Sequence, residues 1–279
     1  MRLNQVAMLF LGLALVCGVG RARAASFTLA GDAVAFEPPS GYCLLDPNED
    51  GFRTMFDRSA RMQQKSGNQL LAFFMVCDEL SQIRHGQAFA PLHYGMLVAV
   101  LQGGTVKPVA NATRFDLIES MRGTLKSDQM NDVMSSADDV LKQEGVVGTH
   151  LSKPAFADMD SFAIYSSSVI DFGEDSSTST TGVYAITLVR HFVLATHMYA
   201  PTSDLGVKEA LLEAQHALLA DFVGRNESPE EQTRQMRTGR AFLGIDWGHV
   251  LVKAAIGAMA GGLIALARTL IRRRRAKAS

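Results

Sequence analysis

Three absences narrow the chain before any motif is sought. Only three of its 279 residues are cysteine (Cys17, Cys43 and Cys77), and no two stand in C-x-x-C. That spacing argues against a redox-active pair. The seven histidines form neither H-x-x-x-H nor H-E-x-x-H, and there is no G-x-S-x-G elbow, S-x-x-K or P-loop. The common signatures of metal hydrolysis, acyl transfer and phosphate binding are therefore missing. The third absence is of acid at the two ends. Residues 1–24 and 248–279 contain no Asp or Glu, so all 28 acids fall in residues 25–247 with 17 of the 27 bases. The net charge of −1 thus hides a body carrying −11 between two basic ends. A body of that sign repels phosphates, so no nucleic-acid partner is expected. It also disfavours docking on an anionic lipid surface.

What is present at the ends concerns location. "MRLNQ" is a charged start, "VAMLFLGLALVCGVG" is an apolar run of h-region length, and "ARA" (22–24) is an A-x-A site. This reads as a secretory signal peptide over residues 1–24. A first transmembrane helix is the competing reading, but the run is short and the small-residue site follows it directly. Val16 precedes Cys17, where a lipoprotein signal needs a small residue. There is no twin-arginine motif.

At the other end, Ala254–Ala267 is uninterrupted and apolar, flanked by Lys253 and Arg268. Fourteen helical residues rise only about 21 Å, but snorkelling by the flanking bases extends the span. One transmembrane helix is expected over 244–271, with Arg272, Arg273, Arg274 and Arg275 as a cytoplasmic positive anchor in the tail 272–279. Gly257 and Gly261 form G-x-x-x-G, and Lys253 lies on the same face, a candidate surface for helix association. The two ends together predict a single-pass protein of the inner (cytoplasmic) membrane. Its domain would face the periplasm or exterior, and its helix would contact membrane lipid.

Removal of the signal leaves Cys43 and Cys77, an even count that predicts a disulfide in an exported chain. Two buried free thiols are the alternative. The body, residues 25–226, alternates strand and helix patterns. "SFTLA" and "AVAFE" predict a hairpin about Gly31-Asp32, and "GYCLL" continues a sheet. "QLLAFFMVC" and "YGMLVAVLQ" are buried strands, and "FAIYSSSVIDF" is another. "VYAITLV" and "FVLATHMY" form a hairpin about Arg190-His191. Residues from about Arg114 to Gln143 read as one or two helices. A long helix follows Thr202 or Ser203 as cap and ends at Gly224. The expected fold class is α+β: a single domain with an antiparallel sheet flanked by helices, plus one C-terminal transmembrane helix. Residues 227–243 are a polar connector, partly helical, because Ser228, Pro229 and Glu231 make a capping box.

This order, from "FTLAGDAVAFEPPSGYCLLDP" to "ITLVRHFVLATHMYAPTSDLGVKEALLEAQHALLADFV", resembles the Mog1/PsbP-like domains and exported bacterial proteins of similar layout. The resemblance spans about residues 26–223 and rests on element order and on Gly41, Tyr199 and Pro201. It implies a compact binding or assembly domain and carries over no functional residue.

One stretch admits two readings. In "DPNEDGFRTMFD", Asp46, Asn48, Asp50, Gly51 and Asp57 match positions 1, 3, 5, 6 and 12 of a calcium loop. Against that, position 12 is Asp rather than Glu, Arg53 stands where an apolar residue packs, and "EPPSGYC" cannot supply the preceding helix. The same residues also read as a helix start, with Asp46 as N-cap, Pro47 at N1 and Glu49 at N3. Phe52, Met55, Phe56 and Ala60 then form its apolar stripe. A metal pair at His191 and His197 is removed by the predicted hairpin. "NAT" (111–113) is a glycosylation sequon, relevant only in a eukaryotic host.

The functional expectation is a non-enzymatic, membrane-anchored binding or envelope-assembly module. It needs no cofactor and works through self-association or a protein partner. The alternatives are an enzyme or small-ligand binder without a recognisable motif, and a calcium-dependent module.

Overall fold

Apolar strands joined by short turns build two antiparallel sheets in a computed structural model that describes residues 24–49, 51–87, 91–124, 149–152, 154–172 and 179–237. The first sheet is a hairpin of β1 (Ala25–Leu29) and β2 (Asp32–Phe36), with Leu29 opposite Asp32. Its turn is Ala30-Gly31, with φ of 47° and 100°. The expected turn at Gly31-Asp32 is one residue late. A two-residue hairpin turn takes positive φ at both central positions, and Asp32 is already paired.

The main sheet has eight strands. These are β3 (Tyr42–Leu44), β4 (Asn68–Val76), β5 (Tyr94–Val100), β6 (Thr149–Leu151), β7 (Ala155–Met159), β8 (Ile164–Phe172), β9 (Thr180–Val189) and β10 (Phe192–Pro201). The order is β3-β4-β5-β10-β9-β8-β6, with β7 also paired to β8, and every pairing is antiparallel. The expected α+β class with an antiparallel sheet flanked by helices is therefore observed. The short strands β6 and β7 have no apolar run and were not foreseen.

The central strands are apolar on both sides because both faces are covered. On one face, Phe73, Met96, Ile186, Leu188 and Tyr199 meet α1 (Arg53–Lys65), α2 (Cys77–Arg84) and α3 (Arg114–Thr124) through Phe52, Met62, Leu80, Leu117 and Met121. On the other, Phe74, Leu97, Val183, Leu194 and Met198 meet the β1–β2 hairpin and α4 (Val207–Asn226) through Phe36, Leu211, Leu218 and Phe222. The short helix α5 (Pro229–Gln235) follows, capped by Ser228, whose hydroxyl accepts the Glu231 N–H as the capping box predicts. Its Gln235 is buried, so this part of the connector packs on the domain.

Several local expectations are corrected. The helix predicted to start at Asp46 starts at Arg53, with no side-chain cap. Gly51 lies at φ 93°, outside helical geometry, and separates the Asp46 turn from the helix. Glu49, read as N3 of that helix, instead pairs with Arg84 at 2.6 Å. The stripe of Phe52, Met55, Phe56 and Ala60 packs on the sheet as expected. Cys77 does not end β4 but opens α2, a helix the pattern did not reveal. The long helix is capped by neither Thr202 nor Ser203. It begins after Gly206, at φ 64°, and continues past Gly224 to Asn226. Thr202 is committed elsewhere, its N–H to the Ser179 carbonyl and its hydroxyl to Thr181.

No helix among the described residues is long and apolar enough to cross a membrane. The signal segment, the predicted span 244–271, Lys253, Gly257, Gly261, Arg272–Arg275 and the second half of the 114–143 helical region lie outside the described residues.

Candidate binding groove

The segment linking the hairpin to the main sheet, Glu37–Cys43, cannot be helical at Pro38-Pro39, because each residue before a proline is held extended. It turns at Gly41, φ 84°, where the Tyr42 N–H bonds the Pro39 carbonyl at 3.0 Å. The segment runs beside α4 and is fixed at both ends. At one end Asn226 of α4 bonds both backbone groups of Ala35, accepting the N–H at 2.9 Å and donating to the carbonyl at 2.8 Å. At the other, the Cys43–Cys77 disulfide ties β3 to the start of α2, and the Cys77 N–H bonds the Gly41 carbonyl at 2.9 Å. The predicted disulfide is thus present.

Between this wall and α4 lies an open groove of about 840 Å³. That falls within the range of about 300–1,000 Å³ typical of ligand pockets. Its apolar lining comes from Pro38, Pro39, Tyr42, Ala214, Ala217 and Leu218, with both half-cystines at one end. The helix can present so open a face because Ala210, Ala214 and Ala217 carry almost no side chain. Burial, with Glu79 nearby, pushes the Tyr42 phenol up to about 12, so it remains neutral.

The rim is acidic. Glu37, Glu213 and Asp221 stand against one cation, Arg225. Arg225 pairs with Glu37 at 2.7 Å and with Asp221 at 2.5 Å, bridging wall and helix. Glu213 is exposed and has no ion-pair partner among the described residues.

Two histidine clusters lie elsewhere. His93 bonds Glu79 through Nδ1 at 2.6 Å and Asp204 through Nε2 at 2.8 Å, joining α2, β5 and the approach to α4. The Glu79 hydrogen bond, opposed by burial and helped by Asp204, raises His93 to about 9. His216 of α4 lies against the Tyr165 ring, tilted by 37° with centroids 4.1 Å apart, and pairs with Asp160 at 2.7 Å and Asp158 at 3.2 Å. Both rings already have carboxylates on both nitrogens, an arrangement that ties elements together rather than leaving a base free to take a substrate proton.

A third histidine, His197, is fully buried among Tyr184 and Tyr199, and neither ring nitrogen has a hydrogen-bond partner. Burial pushes it down to about 3, so it is neutral.

Of the calcium candidates, Asp46 accepts the Asn48 N–H at 2.8 Å in a local turn, and Asp57 lies in α1. Asp50 lies outside the described residues. Among the described residues, no three His, Cys, Asp or Glu side chains are placed to hold a metal ion. Glu37, Glu213, Asp221 and Arg225 were not foreseen as a site.

No family model matches the chain, and no curated protein matches it. The chain is similar to the solution structure of cyanobacterial PsbP (CyanoP) from Synechocystis sp. PCC 6803. Identity is 11%, coverage is 74% of this chain and 96% of that one, and the TM-score is 0.37. This is a coarse likeness, and no residue role follows from it.

Proposed function

We propose that the chain is a membrane-anchored, extracytoplasmic binding or envelope-assembly module, not an enzyme, and that it engages a partner polypeptide along the α4 groove. The observation that supports this most is the groove itself: an apolar floor, a charged rim, and a wall fixed by a disulfide at one end and Asn226 at the other. A preformed wall lowers the ordering cost of binding. The topology rests on the signal-like start and on the apolar segment with its arginine block.

Crosslinking of the full-length protein in native membranes tests the proposal. A heteromeric or homomeric adduct is expected, and Ala217→Trp, which fills the groove from an exposed helix position, should abolish it. Monomer alone, or an adduct indifferent to Ala217→Trp, would reject the groove as the binding surface. A small-ligand binder is the second reading, favoured by the groove's volume. It requires a low-molecular-weight compound that raises the melting temperature of the parent protein and not of Ala217→Trp.

A further inference from the structure

The charge around the groove identifies the chemistry of its occupant. We propose that the groove takes a cationic polypeptide segment, apolar side chains against its floor and a lysine or arginine against Glu213. The inference rests on the groove being a partner surface and adds what that partner must carry.

The lining holds three carboxylates and one guanidinium, a net charge of −2. Arg225 is already consumed at one end, spanning Glu37 and Asp221. Glu213 lies two helical turns before Asp221, about 12 Å along the axis, toward the end where Cys43 and Cys77 line the groove. The floor between them is apolar: Pro39, Tyr42, Ala214 and Ala217.

An incoming anionic segment would meet Glu213 and the shared Glu37–Asp221 pair as like charges, and like-charge juxtaposition selects strongly against wrong partners. A neutral segment would leave Glu213 without a counter-charge. A cationic segment is also drawn in by the field of the whole domain, −11 over residues 25–247. That same field turns away phosphate-bearing ligands, lipid headgroups and nucleic acid alike.

The test uses purified full-length protein in mild detergent and three leucine–alanine peptides of equal length, with lysine, glutamine or glutamate at the same positions. The lysine peptide is expected to bind at least about tenfold tighter than the glutamate peptide, with the glutamine peptide between them. Glu213→Lys is expected to weaken the lysine peptide by about tenfold or more, Ala217→Trp to abolish binding, and added salt to weaken it. Equal binding of all three peptides, or an unchanged affinity in Glu213→Lys, overturns the cationic occupant. In that case the groove still stands as a binding surface if Ala217→Trp remains disruptive. Full displacement of the lysine peptide by spermidine overturns the polypeptide claim in favour of a small-cation site. Failure of all three peptides overturns the inference. The groove reading falls with it only if Ala217→Trp also leaves the membrane adduct unchanged. Glu213→Lys and Ala217→Trp alter exposed positions of α4, so an unaltered melting temperature confirms that each variant is folded.

Discussion

Arg114 and Glu227, 113 residues apart in the chain, form an ion pair of 2.5 Å with side chains 1% and 0% exposed. Arg114 also donates through Nε to the Leu188 carbonyl at 3.0 Å, and its N–H donates to Gln235 at 3.0 Å. The second oxygen of Glu227 accepts the Arg190 N–H at 3.3 Å, and Arg190 Nε donates to the Asn226 carbonyl at 2.8 Å. One buried pair therefore joins α3, the β9–β10 turn, the end of α4 and α5. Removing one member leaves the other charge buried and unpaired, which costs about 3–5 kcal/mol. Glu227→Ala is expected to lose that much in urea unfolding, and Arg114→Met with Glu227→Leu to recover most of it. A loss below about 1 kcal/mol in the single variant would contradict the pair's role.

The turn held by that pair is made of Arg190 and His191, at φ 47° and 66°. Neither is glycine, and each non-glycine residue in this region costs about 1–2 kcal/mol. His191→Gly keeps the backbone carbonyl that accepts the Val109 N–H. It should raise stability by about 1 kcal/mol in the same measurement. A destabilised variant would show that the His191 side chain contributes packing that outweighs the backbone cost.

Cys43 and Cys77 close a loop with a sequence separation of 34. In the chain-entropy account that contributes about 4 kcal/mol. Cys43→Ser with Cys77→Ser is expected to lower stability by about that amount and to loosen the groove wall, read as faster hydrogen exchange over 37–44. Unchanged exchange there would mean that Asn226 and β4 hold the wall without it.

Two histidines give opposite pH limbs. His197 is held near 3 by burial, below the unfolded value of 6.5. The unfolded state therefore binds its proton first. Stability is full above 6.5 and falls by about 1.4 kcal/mol per pH unit from there toward 3. His197→Phe removes an unpartnered buried polar ring, so it should flatten the acid limb and leave stability at pH 7 unchanged or higher. His93 is raised to about 9, chiefly by its hydrogen bond to Glu79. Its contribution is full below 6.5 and is lost as pH rises through 9. Its side chain is 32% exposed, so screening limits the effect to under about 1 kcal/mol. His93→Gln should flatten only the alkaline limb. Parent-like limbs in both variants would reject the two assignments.

The sheet was legible where burial on both faces makes a strand uniformly apolar, as in β4, β5, β9 and β10. The α5 cap was legible because Ser228, Pro229 and Glu231 act within four residues. The Asp46 start failed because a capping pattern and a turn share the same residues, and the left-handed Gly51 decided between them. Helix α2 was hidden because its apolar contribution is largely Leu80 and Ile83, too few for a period. The groove was not legible at all. Its walls come from distant parts of the chain, and nothing local says that Glu37 and Arg225, 188 positions apart, meet. Of its parts, only the cysteine pair gave a signal, through an even count in a chain with an export-like start.

A photo-crosslinking residue placed at Ser40, exposed on the wall of the groove, in the full-length protein in intact cells, tests the binding surface most directly. The expected result is a defined polypeptide adduct from position 40, weakened by Glu213→Lys and absent when the probe stands at Arg61, exposed on α1 across the sheet. Equal adducts from both positions, or none from 40, would contradict the groove as the place where this protein meets its partner.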